Sequence, residues 1–320
     1  MTLSWGIAAT GRIARSVGSI IAAHPQMRVA AVGSRDAGRA TALAAELGAA
    51  RSHGSYDELV HDPEVQAVYV ATPHAQHAEV VEAALLAGRA VLCEKPLTAS
   101  LAETERLAAV SEETGTFLME GMWMRFNPLV QRLQKAVRTG DLGEVRLVEA
   151  SFGFAAPYDP AGRLWDPALG GGALLDLGVY VVDFARLLLG DPATVTATGS
   201  LAPTGVDQDV ALQLTWPGGA EARLTISLTT SLPGTATVVG TAGSASIGPS
   251  FHAPTSLALT LGAQTQEHAL TERTVGFVGE LEEVAGCVAA GRAESDVLPL
   301  RESIATMRVL DEAARQVAHG

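Results

Sequence analysis

Through residues 1–123 short β-branched runs alternate with longer Ala/Leu-rich amphipathic runs. That alternation predicts strands joined by crossover helices around a parallel sheet. Strands are expected near Leu3–Ala9, Arg28–Gly33, Ala67–Ala71, Ala90–Cys93 and Phe117–Met119, with helices near Ile13–Ala23, Gly38–Leu47, His77–Ala87 and Ala102–Thr114. Ser55-x-x-Glu58 and Ser100-x-x-Glu103 are capping boxes, in which a hydroxyl and a carboxylate satisfy the open N–H groups of a helix start. Right-handed crossovers then put a ligand crevice at the carboxyl ends of the strands.

The pattern changes after residue 123. Asn127–Arg138 has helical spacing, Val145–Phe154 reads as a strand, and Gly170-Gly171-Gly172 opens a long apolar helical run, Ala173–Leu189. Short alternating strands follow Gly190-Asp191-Pro192; Leu224–Leu228, for one, alternates with the period of a half-buried strand. Residues 224–266 contain no Asp, Glu, Lys or Arg. An uncharged sheet face invites edge or face association unless it is covered. A second copy of the chain is the expected cover, given the preference for two-fold oligomers; helices of the same chain are the alternative. Two helices near Val278–Ala290 and Ser303–Ala318 close the chain.

A formal net charge of −13, spread along the chain, argues against nucleic acid or an anionic membrane as partner. Ala173–Leu189 is interrupted by Asp176, Asp183 and Arg186, so no membrane span is expected. The start, Met1-Thr2-Leu3-Ser4-Trp5-Gly6, has no basic region of a signal peptide, and Cys93 and Cys287 form no Cys-x-x-Cys. A reducing cytoplasm is the expected setting. The chain avoids lysine almost completely, keeping only Lys95 and Lys135.

The first strand runs into Ala9-Thr10-Gly11-Arg12-Ile13-Ala14, a G-x-G-x-x-G pattern with Ala in the first and third places. The middle position must let a pyrophosphate approach the backbone, and Gly11 stands there. The following helix N-terminus would hold the phosphates. The pattern is degenerate and also fits an ordinary strand–turn–helix; its place in a first βαβ unit favours the nucleotide. An NAD site usually ends its second strand in an acid. Here Ser34 stands in that place, followed by Arg35, with Arg39 one turn on. Guanidinium groups suit a 2′-phosphate, so NADP(H) is expected, with Asp36 capping the next helix.

Thr72-Pro73-His74-x-x-His77 follows the fourth strand. No Cys, Asp or Glu with ligand spacing accompanies the two histidines, so a cofactor contact or cap is expected and no metal. Glu94-Lys95-Pro96 follows the fifth strand, where Lys95 would reach a nicotinamide ribose, or else lie in a surface turn. Asp176 and Tyr180, four apart, share one face of an otherwise apolar helix. They are open to two readings: a hydrogen bond satisfying both, or an acid–base tyrosine with a substrate-orienting carboxylate.

Taken together, Thr72-Pro73-His74…His77, Glu94-Lys95-Pro96 and Gly171-Gly172-Ala173-Leu174-Leu175-Asp176-Leu177-Gly178-Val179-Tyr180 resemble the Gfo/Idh/MocA oxidoreductase family. The similarity is greatest to its dimeric dihydrodiol dehydrogenase and glucose–fructose oxidoreductase branch, which has Tyr180 where many members have histidine. The resemblance implies an α/β chain: an N-terminal Rossmann domain (1–123) and a C-terminal α+β substrate and dimerisation domain (124–320) with a large open, mostly antiparallel sheet. It implies a catalytic Lys95 with Pro96 in a cis bond, an NADP(H) cofactor, and Trp123, Arg125, Arg163 and Trp165 in segments lining the cofactor or substrate pocket. The aromatic Trp123, Phe126, Phe154 and Trp165 suit a pocket for carbon faces, or a core. The expected chemistry is hydride transfer between nicotinamide and a secondary alcohol, hemiacetal or carbonyl of a sugar or dihydrodiol. Tyr180 would exchange the hydroxyl proton, its ordinary pKa of about 10 lowered by the Lys95 ammonium, while Asp176 orients the substrate. The competing expectation is an NADP(H)-binding regulator without turnover.

Overall fold

The computed structural model describes residues 2–319. In chain order the elements of the first part are β1 (Leu3–Ala8), α1 (Arg12–Ala23), β2 (Met27–Gly33), α2 (Ala37–Glu46), β3 (Arg51–His53), α3 (Tyr56–Val60), β4 (Ala67–Val70), α4 (His77–Leu86), β5 (Ala90–Glu94), α5 (Leu101–Thr114) and β6 (Leu118–Gly121). There follow α6 (Pro128–Arg138), β7 (Val145–Gly153), a π-helical turn (Leu174–Gly178) running into α7 (Val179–Leu189), β8 (Thr194–Leu201), β9 (Asp207–Thr215), β10 (Glu221–Ser227), β11 (Ala236–Gly240), β12 (Gly243–Ile247), β13 (Ser256–Leu261), β14 (Gln264–Ala269), α8 (Val275–Ala289) and α9 (Leu300–His319). The chain divides into two compact units, Met1–Met122 with Phe277–Ile304, and Trp123–Gly276 with Ala305–Gly320.

The first unit is a Rossmann-type fold. Its six strands are parallel, in the order β3-β2-β1-β4-β5-β6. The order reverses beside β1, the crevice where such sheets hold ligands. The central strands are mostly apolar, as expected when both faces are covered: β1 and β4 are buried along their whole lengths. Ser55 and Ser100 cap α3 and α5 as their boxes predict. The three-residue β3 is too short to show in the pattern.

The domain limits differ from the expected continuous 124–320. Residues 277–304 return to the first unit, where Leu281, Val284 and Cys287 on α8 are buried and Leu118 N–H donates to Ala293 O at 3.2 Å. A parallel sheet needs cover on both faces. The segment that helps provide it lies far along the chain, with no compositional break to announce it.

The second unit carries an eight-stranded sheet, β14-β13-β12-β11-β7-β10-β9-β8, in which only β7 and β10 pair in parallel. Period-two burial puts Val148, Ala150, Leu224, Ile226, Ala236 and Val238 on the covered face. The π-helical turn and α7 pack over β7 and β10 there. The opposite face presents Ala211, Gln213, Thr225 and Val239 to solvent. Among the described residues no helix is long and apolar enough to cross a membrane.

Candidate active site

In the first unit, β1 is followed by Ala9, whose φ of +120° is a glycine-like conformation. Such strain costs on the order of 1–3 kcal/mol and collects at functional turns. Gly11, by contrast, has an ordinary φ of −73°; a Cβ there would meet nothing within 4 Å. Its value is therefore the open approach to backbone. Helix α1 starts at Gly11 with no side-chain cap and no acid in its first turn, whereas α2, α3, α5 and α6 are capped by Asp36, Ser55, Ser100 and Asn127. Uncapped N–H groups beneath an open space fit a pyrophosphate. Thr10, Arg12 and Ile13 line the same turn, with Arg12 exposed.

At the end of β2, Ser34 is buried and its hydroxyl accepts from Asp36 N–H at 3.2 Å. Asp36 caps α2 through Arg39 N–H (2.9 Å) and also pairs with the Arg39 guanidinium at 3.2 Å. Arg35 is exposed, and its positive charge acts on the nearby phenol of Tyr56, favouring the ionised form against the effect of burial.

At the ends of β4 and β5, the buried Thr72 hydroxyl has no protein partner. An orphaned hydroxyl at a sheet's carboxyl edge is a ready ligand contact. Pro73 and His74 are half-buried beside it, and the Lys95–Pro96 bond is cis. Glu94, just before Lys95, is buried and accepts a short hydrogen bond from the fully buried Tyr69 hydroxyl. The α8 residue Glu280 joins them: its carboxyl is fully buried without a hydrogen-bond partner. Burial first, and then the Glu94 charge, push the Glu280 carboxyl well above the usual range, which favours its protonated form. The same two causes raise Tyr69, and burial raises the Cys93 thiol, which disfavours its thiolate.

In the second unit, Tyr180 follows the π-helical turn that carries Asp176. Such turns recur at functional sites because they re-aim side chains. The Tyr180 hydroxyl accepts from the Trp123 indole N–H at 2.8 Å. Around it stand Phe152 (ring centroids 5.9 Å apart) and His252 (5.2 Å), and those two rings stack on each other at 4.3 Å. Asp176 accepts from Arg163 at 3.0 Å; its own side chain is nearly buried while that of Arg163 is 52% exposed. Of the other expected residues, Arg125 is buried and bidentate to Asp183, at 2.6 and 2.9 Å. Trp165 is buried, donates to Pro157 O at 2.9 Å and packs edge-on against Tyr158. Phe154 lies one residue beyond β7, while Phe152 is the strand residue facing Tyr180. The alternation Val148, Ala150, Phe152 was the available signal for the latter; nothing in the uncharged segment marked His252.

Asp207 holds the start of this helical segment. Its carboxylate accepts from Leu174 N–H at 2.6 Å, and a Cβ on Gly172 (φ +122°) would come within 2.5 Å of it. Burial pushes the Asp207 carboxyl up to about 6 from 3.8, against the pull of these amides. The folded chain therefore binds this proton more tightly than the unfolded chain. The associated stabilisation is complete below about pH 3.8 and is lost as pH rises to about 6. Asp207→Asn cannot ionise, so it should gain on the native protein across that window, by at most about 3 kcal/mol. Urea midpoints of both proteins at several pH values test this; a pH-independent difference would refute it.

Residues 3–122 match the family model described as "Oxidoreductase family, NAD-binding Rossmann fold", and residues 130–246 match the GFO/IDH/MocA C-terminal domain. The trans-1,2-dihydrobenzene-1,2-diol dehydrogenase of Mus musculus is 37% identical, over 99% of this chain and 97% of its own. The aldose-aldose oxidoreductase from Caulobacter crescentus, solved with glycerol, has a TM-score of 0.89 at 28% identity, over 99% of this chain and 98% of its own. KijD10, a 3-ketoreductase from Actinomadura kijaniata solved with NADP and TDP-benzene, has a TM-score of 0.87 at 27% identity, over the same shares. With a Rossmann-type sheet in one unit, a mostly antiparallel sheet in the other and relatives matched along their whole length, the chain belongs to the Gfo/Idh/MocA family of oxidoreductases.

Proposed function

We propose that this chain interconverts a secondary alcohol or hemiacetal of a diol or sugar with its carbonyl, using NADP(H). The observation that carries this reading is the Tyr180 hydroxyl, which receives an indole N–H at 2.8 Å within an aromatic wall. When bound, the nicotinamide supplies the hydride acceptor or donor. Tyr180 takes or returns the hydroxyl proton. An N–H directed at the phenol oxygen favours its ionised form, and the Lys95 ammonium would add to that. Asp176, oriented by Arg163, accepts from a second hydroxyl. Phe152 and His252 offer flat faces to C–H surfaces. The names of the relatives, a dihydrodiol dehydrogenase and an aldose oxidoreductase, fit such a substrate. Ala9–Ile13, Thr72, Pro73, His74, Glu94 and Lys95 would hold the dinucleotide.

An NADP⁺ reduction screen over D-xylose, D-glucose and trans-dihydrodiols, with dicarbonyls in reverse, tests this. Turnover on one of these classes is expected; NADPH binding without turnover on any would favour a cofactor-binding regulator. Ser34, Arg35 and Arg39 form the proposed 2′-phosphate site. NADPH should therefore have the lower KM, and Arg35→Ala should reduce the preference over NADH by about 10–100-fold, the worth of a charge-assisted hydrogen bond. A lower KM for NADH in the native enzyme would refute the assignment.

The open face of the second unit's sheet is the proposed homodimer surface. Its charges are central: Glu149 lies opposite Arg223, beside the uncharged segment. Small and hydroxyl side chains surround that pair, and a two-fold partner would cover them. Sedimentation at micromolar protein should give a dimer; a monomer would end the proposal.

A further inference from the structure

His77 opens α4 and is fully buried. Each of its ring nitrogens faces a backbone carbonyl: Nε2 lies 2.9 Å from Thr72 O, and Nδ1 lies 2.9 Å from Pro96 O. One acceptor is in the turn after β4; the other belongs to the residue that follows Lys95. A neutral imidazole has one N–H and one lone pair, so it can donate to only one of these oxygens. Its lone pair then faces the other. The imidazolium donates to both. We infer that His77 is a positioning residue for Lys95: a proton-operated brace that ties the Lys95–Pro96 turn to the Thr72 turn at both ends when charged, and at one end when neutral.

The surroundings set where the brace operates. Burial is the largest influence and disfavours the cation; the Lys95 charge acts in the same direction. The carbonyls of Thr72, Pro96 and Leu97 favour the cation. The His74 ring meets His77 edge-on at 5.7 Å between centroids. The balance holds the His77 pKa below the ordinary 6.5, so the second tie closes on the acid side of that value. Both nitrogens point at protein carbonyls. This geometry gives His77 a role distinct from the cofactor contact expected of it.

The link to catalysis rests on Lys95 working as proposed above, but the titration of the ring does not. The test uses the full ¹⁵N-labelled chain without cofactor. Long-range ¹H–¹⁵N correlations of the histidine rings are followed over about pH 5 to 8, with His77→Gln used to assign the His77 signals. The expected result is two protonated nitrogens at low pH and one at high pH, with a midpoint below about 6.5. The Leu97 amide, which donates to Glu120 at 3.0 Å, should shift with the same midpoint and lose that dependence in His77→Gln. A single neutral tautomer throughout, or a Leu97 amide that ignores the ring, overturns the brace; the native titration decides this even if the variant does not fold. In the active enzyme, kcat should change over the same range by about tenfold, since small misplacements of a reacting group cost that much or more. His77→Gln, whose amide donates without titrating, should lose the inflection in kcat. Coupled ring and amide titration with a flat kcat profile would overturn the link to Lys95 alone.

Discussion

Replacing Tyr180 by phenylalanine should lower kcat by about 10²–10⁴-fold, the usual worth of a positioned acid–base group, while NADPH binding survives. The substitution is nearly a pure removal of one oxygen. The ring keeps its contacts with Phe152 and His252, so the aromatic wall stays in place. Trp123 loses its acceptor, but Trp123 is only half-buried and water can replace the phenol. The residues expected to hold the phosphates lie in the other unit and are untouched. Stopped-flow turnover beside quenching of tryptophan fluorescence by NADPH separates the two effects. If Lys95 assists Tyr180 as proposed, Lys95→Met should lose a similar factor of kcat. Tyr180→Phe with native kcat would remove Tyr180 from the mechanism.

Asp183→Ala should destabilise the second unit by about 3–5 kcal/mol. Arg125 and Asp183 are bidentate, with side chains 3% and 2% exposed. Thr306 from α9 also donates to Asp183, at 3.5 Å, and receives Arg186 Nη1 at 2.8 Å. Removing the carboxylate takes the bidentate acceptor from a buried guanidinium, which is the costly half of a buried pair. Chemical denaturation should show the loss; replacing both Arg125 and Asp183 by apolar residues should recover much of it. A loss below about 1 kcal/mol would mean that water reaches the guanidinium.

The physical reason for what the sequence reveals differs from residue to residue. Buried parallel strands and amphipathic helices leave local traces, so β1, β2, β4, β5 and their helices are legible, as are the caps at Ser55, Ser100 and Asp36. Asp176 and Tyr180 are legible because a carboxylate and a phenol on an apolar helix demand a reason. What is not legible is mostly made by distant pairing. Glu280 reads as one more acid on an amphipathic helix until the fold sets it against Glu94 and Tyr69. His252 gains its place by stacking on a strand residue 100 positions earlier, Phe152. Arg125, expected at the cofactor, pairs with Asp183, a partnership that spacing alone cannot announce.

The return of residues 277–304 to the first unit has a consequence for synthesis. A ribosome releases the six strands of that unit long before α8 exists. Until then the surface that α8 later covers, with Tyr69 and Glu94 close to it, has no partner from the chain's end. The nucleotide-binding unit must therefore wait for nearly the whole polypeptide before it can close, and the second unit is made during the pause. A chain cut after residue 122 would carry every strand of its sheet yet remain a sticky, incomplete body, a natural client for chaperones.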